Sequence, residues 1–405
     1  MNMKTVLRLI LLGMGAFLSV SAMAQQRKYV NEFLRIGVGG RGLGMAGSQV
    51  ASIDDVNAAF WNPAGLTGVR SDFQLGLMHA EYFSSIAKYD YIGTAFHRKN
   101  QKGVLGFSLI RFAIDDIPYT LNLIQPDGTV DYSKIRAISA ADYAGLISYA
   151  KPIRLKKYAD REDVALNLGA NLKIIHRNVG TMANAWGAGM DAGLQARVKR
   201  WRFGAVVHDI TTTYTLWSFT YTDKEKQVLA QTGNDIITRS SEMNRPRMVL
   251  AAAKRFPLFF ADSSRSAYIQ PEVNFEVTTD GKRYGNLLNL NPLSVDPRAG
   301  LEFGYNNMVF VRAGVGNFQR ILSDADTNNT TFHTLFQPSF GIGLRLKQLT
   351  IDYSFSSLNI ENNPLYSHFV SVRLDILRKG NTMMPAVPDV RRTRKKQTST
   401  SSPTS

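Results

Sequence analysis

The chain has 405 residues, with 48 Lys+Arg against 32 Asp+Glu for a net charge of +16, 44% hydrophobic residues and no cysteine. Without cysteine it is no zinc ribbon, iron–sulfur protein, thiol enzyme or disulfide scaffold. At 10% aromatic and 20% charged it is not a disordered chain, and it lacks the apolar runs of about 20 residues that a helical membrane bundle needs. Nucleic acid is not an expected partner. Part of the basic surplus sits at the two ends, in Lys4 and Arg8 and in Arg391, Arg392, Arg394, Lys395 and Lys396, and no basic patch interleaved with stacking aromatics accompanies it.

At the start, Lys4 and Arg8 precede the apolar run 9–20, which ends in Ala22-Met23-Ala24. A charged start, a short apolar stretch and a small-x-small site predict a signal peptide over residues 1–24. The run is too short to stay behind as a spanning helix. Residues 25–70 do not alternate. They hold the glycine run 37–47, with two GxGxxG matches at Gly37/Gly39/Gly42 and Gly42/Gly44/Gly47. No parallel strand or βαβ unit frames them and no GK[ST] follows, so a dinucleotide or phosphate site is rejected. Glycine instead lets backbone pass close to backbone, as a segment filling a wide barrel requires. The stretch Ala58-Ala59-Phe60-Trp61-Asn62-Pro63-Ala64-Gly65-Leu66 reads as a packed turn, because Asn-Pro and Ala-Gly form turns.

From 71 to 377 the chain alternates with period two. In 164–174, Val164, Leu166, Leu168, Ala170, Leu172 and Ile174 oppose Asn167, Asn171 and Lys173. In 268–277, Ile269, Pro271, Val273, Phe275 and Val277 oppose Tyr268, Gln270, Glu272, Asn274 and Glu276. Fourteen strands are predicted, starting near Asp72, Tyr89, Gly103, Ala141, Asp163, Trp186, Arg200, Pro246, Ala267, Pro297, Met308, Gln337, Leu349 and Ser367. Most run about 9–12 residues, the length that crosses a bilayer when tilted; soluble strands average nearer 5–6. Links alternate between short ones (98–102, 199, 306–307, 347–348) and long ones (113–140, 210–245, 279–296, 318–336). That parity is the short-turn, long-loop asymmetry of outer-membrane barrels. The short side is basic, through Arg98, Lys99, Lys102, Lys199, Arg200, Lys254, Arg255 and Lys347. Tyr89, Tyr91, Trp186, Trp201, Tyr268, Tyr305 and Tyr353 lie near strand ends and are assigned to interfacial girdles.

The stretch from Leu34-Arg35-Ile36-Gly37 through Gly40-Arg41-Gly42, Met45-Ala46-Gly47 and Asp54-Asp55 to Phe60-Trp61-Asn62-Pro63-Ala64-Gly65-Leu66 resembles the N-terminal signature of the PorV/PorQ family. These are outer-membrane proteins of the type IX secretion system, within the wider FadL-like barrel superfamily. The glycine run together with Asp116-Ile117-Pro118-Tyr119-Thr120 is closer to the PorV branch. The resemblance implies a 14-stranded barrel with an N-terminal plug. It also implies binding of the C-terminal domain of secreted cargo and its transfer from the translocon to the attachment machinery. The wider superfamily implies the alternative of a FadL-type channel for hydrophobic compounds. Against that alternative, the inward set Asn171, Lys173, Gln270, Glu272, Asn274 and Glu276 predicts a polar lumen. Where outer-membrane barrels commonly end on an aromatic residue, this chain continues past Leu377 into the basic, Ser/Thr-rich stretch 378–405, which is expected to be a disordered periplasmic tail.

No catalytic motif emerges. The six histidines form no HExxH and no GxSxG elbow occurs, so the chain is not expected to be an enzyme and no cofactor is assigned. Asp324-Ala325-Asp326-Thr327-Asn328 opens like a calcium loop, but position six is Asn329 rather than Gly and position twelve is Leu335 rather than Glu, so no metal is assigned. The aromatic-rich run 211–222 carries Tyr214, Leu216, Trp217, Phe219 and Tyr221. On the external side these are either a partner-binding loop or a strand extending as a ribbon.

The expectation is therefore an all-β, 14-stranded antiparallel transmembrane β-barrel: signal peptide 1–24, plug 25–70, barrel 71–377 and tail 378–405, set in outer-membrane lipid. Its plug motif is Trp61, Asn62, Pro63, Ala64, Gly65 and Leu66. Its candidate partner-binding residues in external loops are Asp116, Ile117, Pro118, Tyr119, Thr120, Tyr214, Trp217, Phe219 and Tyr221. The expected partners are secreted cargo C-terminal domains and the proteins of the type IX translocon and attachment complex.

Overall fold

A computed structural model describes residues 30–97, 103–120, 123, 129–153, 164–231, 233–258, 266–279, 288–290, 293–322, 332–360 and 363–377. The signal peptide, the tail and most of the calcium-like loop lie outside these residues. Alternating side chains build a single closed antiparallel sheet. Its strands are β1 (Phe73–Tyr82), β2 (Ala87–His97), β3 (Val104–Tyr119), β4 (Arg136–Ile153), β5 (Val164–Val179) and β6 (Ala183–Val198). β7 is Trp201–His208 continued by Thr213–Phe219, and β8 is Arg239–Asn244, Arg247–Lys254 and Phe256–Leu258. Then come β9 (Ala267–Thr278), β10 (Leu293–Tyr305), β11 (Val309–Leu322), β12 (Phe332–Leu346), β13 (Leu349–Ile360) and β14 (Asn363–Ile376). Each pairs with its chain neighbours, and β1 closes on β14 from Phe73↔Ile376 to Glu81↔His368. These are the fourteen barrel strands of the described residues, as the alternation predicts. Among those residues no helix is long and apolar enough to cross a membrane.

The wall is inside-out relative to a soluble sheet. Leu172 (43% exposed), Ile174 (45%), Val273 (41%) and Phe275 (45%) point outward, while Asn171, Lys173, Gln270, Glu272, Asn274 and Glu276 are buried inside. Lipid requires this arrangement, since an apolar band must face it. Trp186, Trp201 and Tyr353 stand on the outer face as expected of girdles. Tyr89 and Tyr91 do not. They are buried against the plug, and the inward-facing Tyr268 hydroxyl donates to Glu302 at 2.8 Å. Aromatic side chains near strand ends fill the lumen as readily as they mark an interface.

The long external links are shorter than predicted because strands run on above the band. β3 reaches Tyr119 and β4 begins at Arg136, so both ends of 113–140 are a ribbon. β3 gains a bulge between Ile114 and Ile117, where Asp116 sits at φ 56, a left-handed position that Asp tolerates. β7 breaks at 209–212. β6 pairs with its lower half (Ala192↔Val207) and then, past the bulge, with its upper half (Ala188↔Tyr214).

Residues 30–70 fill the lumen with short helical turns (Glu32–Arg35, Gly40–Leu43, Ala58–Trp61, Pro63–Gly68) joined by irregular backbone. Val38, Met45, Ile53 and Leu66 are fully buried there. The glycine run has the spatial meaning predicted. A Cβ on Gly44 would lie 2.9 Å from the Cα of Gly341 on β12, so two glycines let plug and wall touch. From the wall side, a Cβ on Gly169 of β5 would lie 2.3 Å from the amide N of Ala64. Backbone cannot yield as a side chain can. Gly169→Val is therefore expected to destabilise the plugged barrel by about 1–3 kcal/mol or more, seen as a lower temperature at which the folded band is lost on unheated gels.

Candidate functional site

The plug is fixed from within by the Trp61–Leu66 motif. Trp61 Nε1 donates to the Val38 carbonyl at 2.8 Å, and its ring meets Phe60 edge-on with centroids 5.1 Å apart. The Asn62 side chain caps the Pro63–Gly68 turn by accepting from the Ala64 amide, and its Nδ2 donates to the carbonyls of Val50 and of Leu194 on β6, both at 3.1 Å. Asn62 thus joins two plug segments to the wall. Leu66 is fully buried.

The inward polar residues satisfy the plug's irregular backbone, which has few partners of its own. Glu272 accepts from the Ala51 amide (2.7 Å), and Gln74 accepts from the Val56 amide (2.7 Å). Asn171 donates to the Ala59 carbonyl (2.7 Å), Asn274 to the Gly47 carbonyl (3.1 Å), and Gln195 to the carbonyls of Ala51 and Ile53 (3.0 and 2.8 Å). Buried ion pairs reinforce these links. Arg41 of the plug donates to Glu302 at 2.9 and 3.3 Å; Arg312 donates to Glu302 at 2.8 Å and to Asp352 at 2.7 Å. Arg35 of the plug pairs with Glu276, which also holds Arg247 (3.2 Å) and Arg298 (3.4 Å), and Arg373 pairs with Asp55 of the plug. Lys173 pairs with Asp191 at 3.0 Å and with Asp209, the residue that opens the β7 bulge.

Above the plug lies a cavity of about 720 Å³. Asn31, Phe33, Ile36 and Leu43 of the plug form its floor, and Phe112, Phe318 and Phe369 line it together with Arg35, Arg298, Arg177 and Asp142. Phe112 lies toward the end of β3 that carries the long link to β4, and Arg177 pairs with Asp142 near the start of β4 on the same side, so the cup faces the side of the long links. Apolar rings and polar or charged groups thus share its lining.

Most of the candidate partner-binding residues lie on strands that extend into the external links. Asp116, Ile117, Pro118 and Tyr119 end β3, with Thr120 just beyond, and Tyr214, Trp217 and Phe219 lie on the upper half of β7, with Tyr221 following. Alternation divides the second set. Tyr214 and Leu216 point outward and are 55% and 63% exposed. Trp217, Phe219 and Tyr221 form an inner ladder, with ring centroids 6.0 and 6.4 Å apart, and Arg177 of the cup lies over Trp217 at 5.1 Å. The helix Asp223–Gln231 was not anticipated, although Thr222-x-x-Glu225 marks its start. The Glu225 carboxylate accepts from the Thr222 amide at 2.7 Å, and the Glu225 amide donates back to Thr222 Oγ1 at 3.3 Å. The Tyr119 hydroxyl donates to Glu225, so Tyr119 braces this helix. Among the described residues no group of three His, Asp or Glu is placed to hold a metal.

No protein-family model matches the chain, and no curated protein does. Solved structures do. The toluene transporter TodX of Pseudomonas putida is 11% identical with a TM-score of 0.50, covering 87% of this chain and 100% of that one. A FadL homologue of Pseudomonas aeruginosa is 11% identical with a TM-score of 0.48, covering 84% and 98%. The toluene transporter TbuX of Ralstonia pickettii is 12% identical with a TM-score of 0.45, covering 84% and 98%. At this identity the likeness is one of fold, that of the FadL-like 14-stranded barrels.

Two outcomes follow from the geometry. Glu302→Ala leaves Arg41 and Arg312 as buried cations without their shared partner and is expected to cost about 3–5 kcal/mol, read as a lowered thermal midpoint. For Glu225, burial pushes the carboxyl up, and the hydrogen bonds from Tyr119 and Thr222 outweigh it and hold it below its ordinary range. A depressed carboxyl stabilises above its ordinary range and loses that contribution as pH falls through the folded value. The 223–231 helix is therefore expected to become protease-sensitive on acidification, and Glu225→Gln to remove that pH dependence.

Proposed function

We propose that the chain is a FadL-type outer-membrane protein that captures an amphipathic, largely hydrophobic compound in its outward cup. The observation that carries this reading is the cup itself, about 720 Å³ over a plug floor, lined by Phe33, Phe112, Phe318 and Phe369 beside the ion-paired Arg35, Arg298 and Arg177. The stacked ladder Trp217–Phe219–Tyr221 rises from its edge and offers the same apolar faces on the way in. The fold-level likeness to a barrel described as a toluene transporter agrees with a hydrophobic cargo. The ion-paired plug argues against straight passage down the lumen.

A second reading is the type IX one, in which external surfaces bind the C-terminal domain of secreted cargo and hand it from translocon to attachment machinery. It rests on the resemblance over 34–66 and on outward Tyr214 and Leu216 at the rim, which offer apolar contact to a protein.

Titration of the lipid-reconstituted protein with an anionic naphthalene-sulfonate probe tests the first reading. Saturable one-to-one binding is expected, weakened at least tenfold by Phe33→Asp. Binding that does not saturate, or that ignores Phe33→Asp, would overturn it. Cross-linked recovery of secreted proteins sharing a C-terminal domain, lost in Tyr214→Ala/Leu216→Ala, would establish the second reading instead.

A further inference from the structure

The outer wall carries a feature that the cup does not use. On β5 the outward apolar column runs Leu166, Leu168, Ala170, Leu172 and Ile174, and on β12 it runs Phe336, Pro338, Phe340, Ile342, Leu344 and Leu346. At about 3.4 Å per residue and a tilt near 40°, such columns span roughly 25 Å, the height of a lipid-facing band. On β1, β2 and β3 the columns are shorter: Phe73, Leu75 and Leu77; Phe96, Thr94 and Ile92; Leu105, Phe107 and Leu109. These span only about 10 Å by the same geometry.

The next outward positions are charged. His79 Nδ1 lies 2.7 Å from Asp90 Oδ1, Arg111 donates to Asp90 at 3.0 Å, His79 Nε2 lies 3.4 Å from Glu81, and Lys88 donates to Asp115 at 3.0 Å. These side chains are 36–55% exposed. The apolar columns of β1–β3 thus stop about 10–15 Å short of those on β5 and β12, and ion pairs occupy the next outward positions. Charge on that face is unfavourable in lipid unless something covers it.

We propose that a second copy of this chain covers these ion pairs, with the β1–β2 seam of one copy against that of the other. The register pairs Leu77↔Ile92, His79↔Asp90 and Glu81↔Lys88 across the seam. A two-fold axis along the membrane normal at the seam exchanges the members of each pair. It sets His79 of each copy opposite Asp90 of the other and Glu81 opposite Lys88, with Leu77 against Ile92 below. An isologous interface needs such a self-complementary patch. A phosphate-bearing headgroup would call instead for an excess of cations, whereas here Glu81, Asp90 and Asp115 are at least as many as the cationic Lys88 and Arg111 with His79.

The chain has no cysteine, so single-cysteine variants report cleanly in native outer membranes. Oxidative or short bismaleimide cross-linking of Leu77→Cys is expected to give a dimer, and Phe203→Cys on the far wall to give none. Asp90→Lys is expected to cut the Leu77→Cys dimer at least fivefold, and the swap His79→Asp/Asp90→Lys to restore it. Gel migration without heating confirms that each variant is folded. A folded Leu77→Cys protein that stays monomeric, or that cross-links only to a different protein, would overturn the proposal.

Discussion

The structure depends on one constraint: the irregular backbone of residues 30–70 is enclosed within a barrel, where each N–H and C=O needs a partner. Short turns satisfy part of it, and the wall supplies the rest. Glu272, Gln74, Asn171, Asn274 and Gln195 each bond a plug amide or carbonyl. The alternation that turns Leu172 and Phe275 to lipid thus turns Asn171 and Asn274 to the plug. The lumen is polar because it sheathes a peptide segment, and its polarity is no sign of a water-filled channel.

That sheath divides the molecule by height. Arg41–Glu302–Arg312–Asp352 and Arg35–Glu276 pin the plug to several strands at once, so displacing it would strand buried charges. Above it the Phe33–Ile36 floor opens to the outside. The chemistry on offer is capture at the outer face, since a straight path down the lumen meets an ion-paired plug. Fold alone does not choose the cargo. The proposed cargo, an amphipathic compound, rests on the mixed aromatic and charged lining of the cup, and the exposed rim pair Tyr214 and Leu216 carries the second proposal of a protein partner.

Much of this was legible in the sequence. Period-two alternation located all fourteen strands, because every one must cross the same band with one face to lipid. The Gly37–Gly47 run announced close backbone contact, and Gly44 against Gly341 supplies it. What alternation could not assign was the face of residues similar on both sides, so Tyr89, Tyr91 and Tyr268 were placed in a girdle and are found inside. It could not mark where a strand leaves the membrane either, because the pattern continues into the ribbons that carry Tyr119 and Trp217. The 223–231 helix had a readable start in Thr222 and Glu225, hidden within a segment expected to be loop. The cup was not legible at all. Its residues come from the plug and from strands far apart in sequence, such as Phe33, Phe112, Arg177 and Phe369.

Side-specific labelling tests the central claim most directly. In this cysteine-free chain, Ile36→Cys places one thiol on the cup floor. A membrane-impermeant maleimide applied to intact cells is predicted to modify it, and the same reagent confined to the periplasmic side is predicted not to. Modification from the periplasmic side at a comparable rate would contradict a sealed lumen beneath an outward cup.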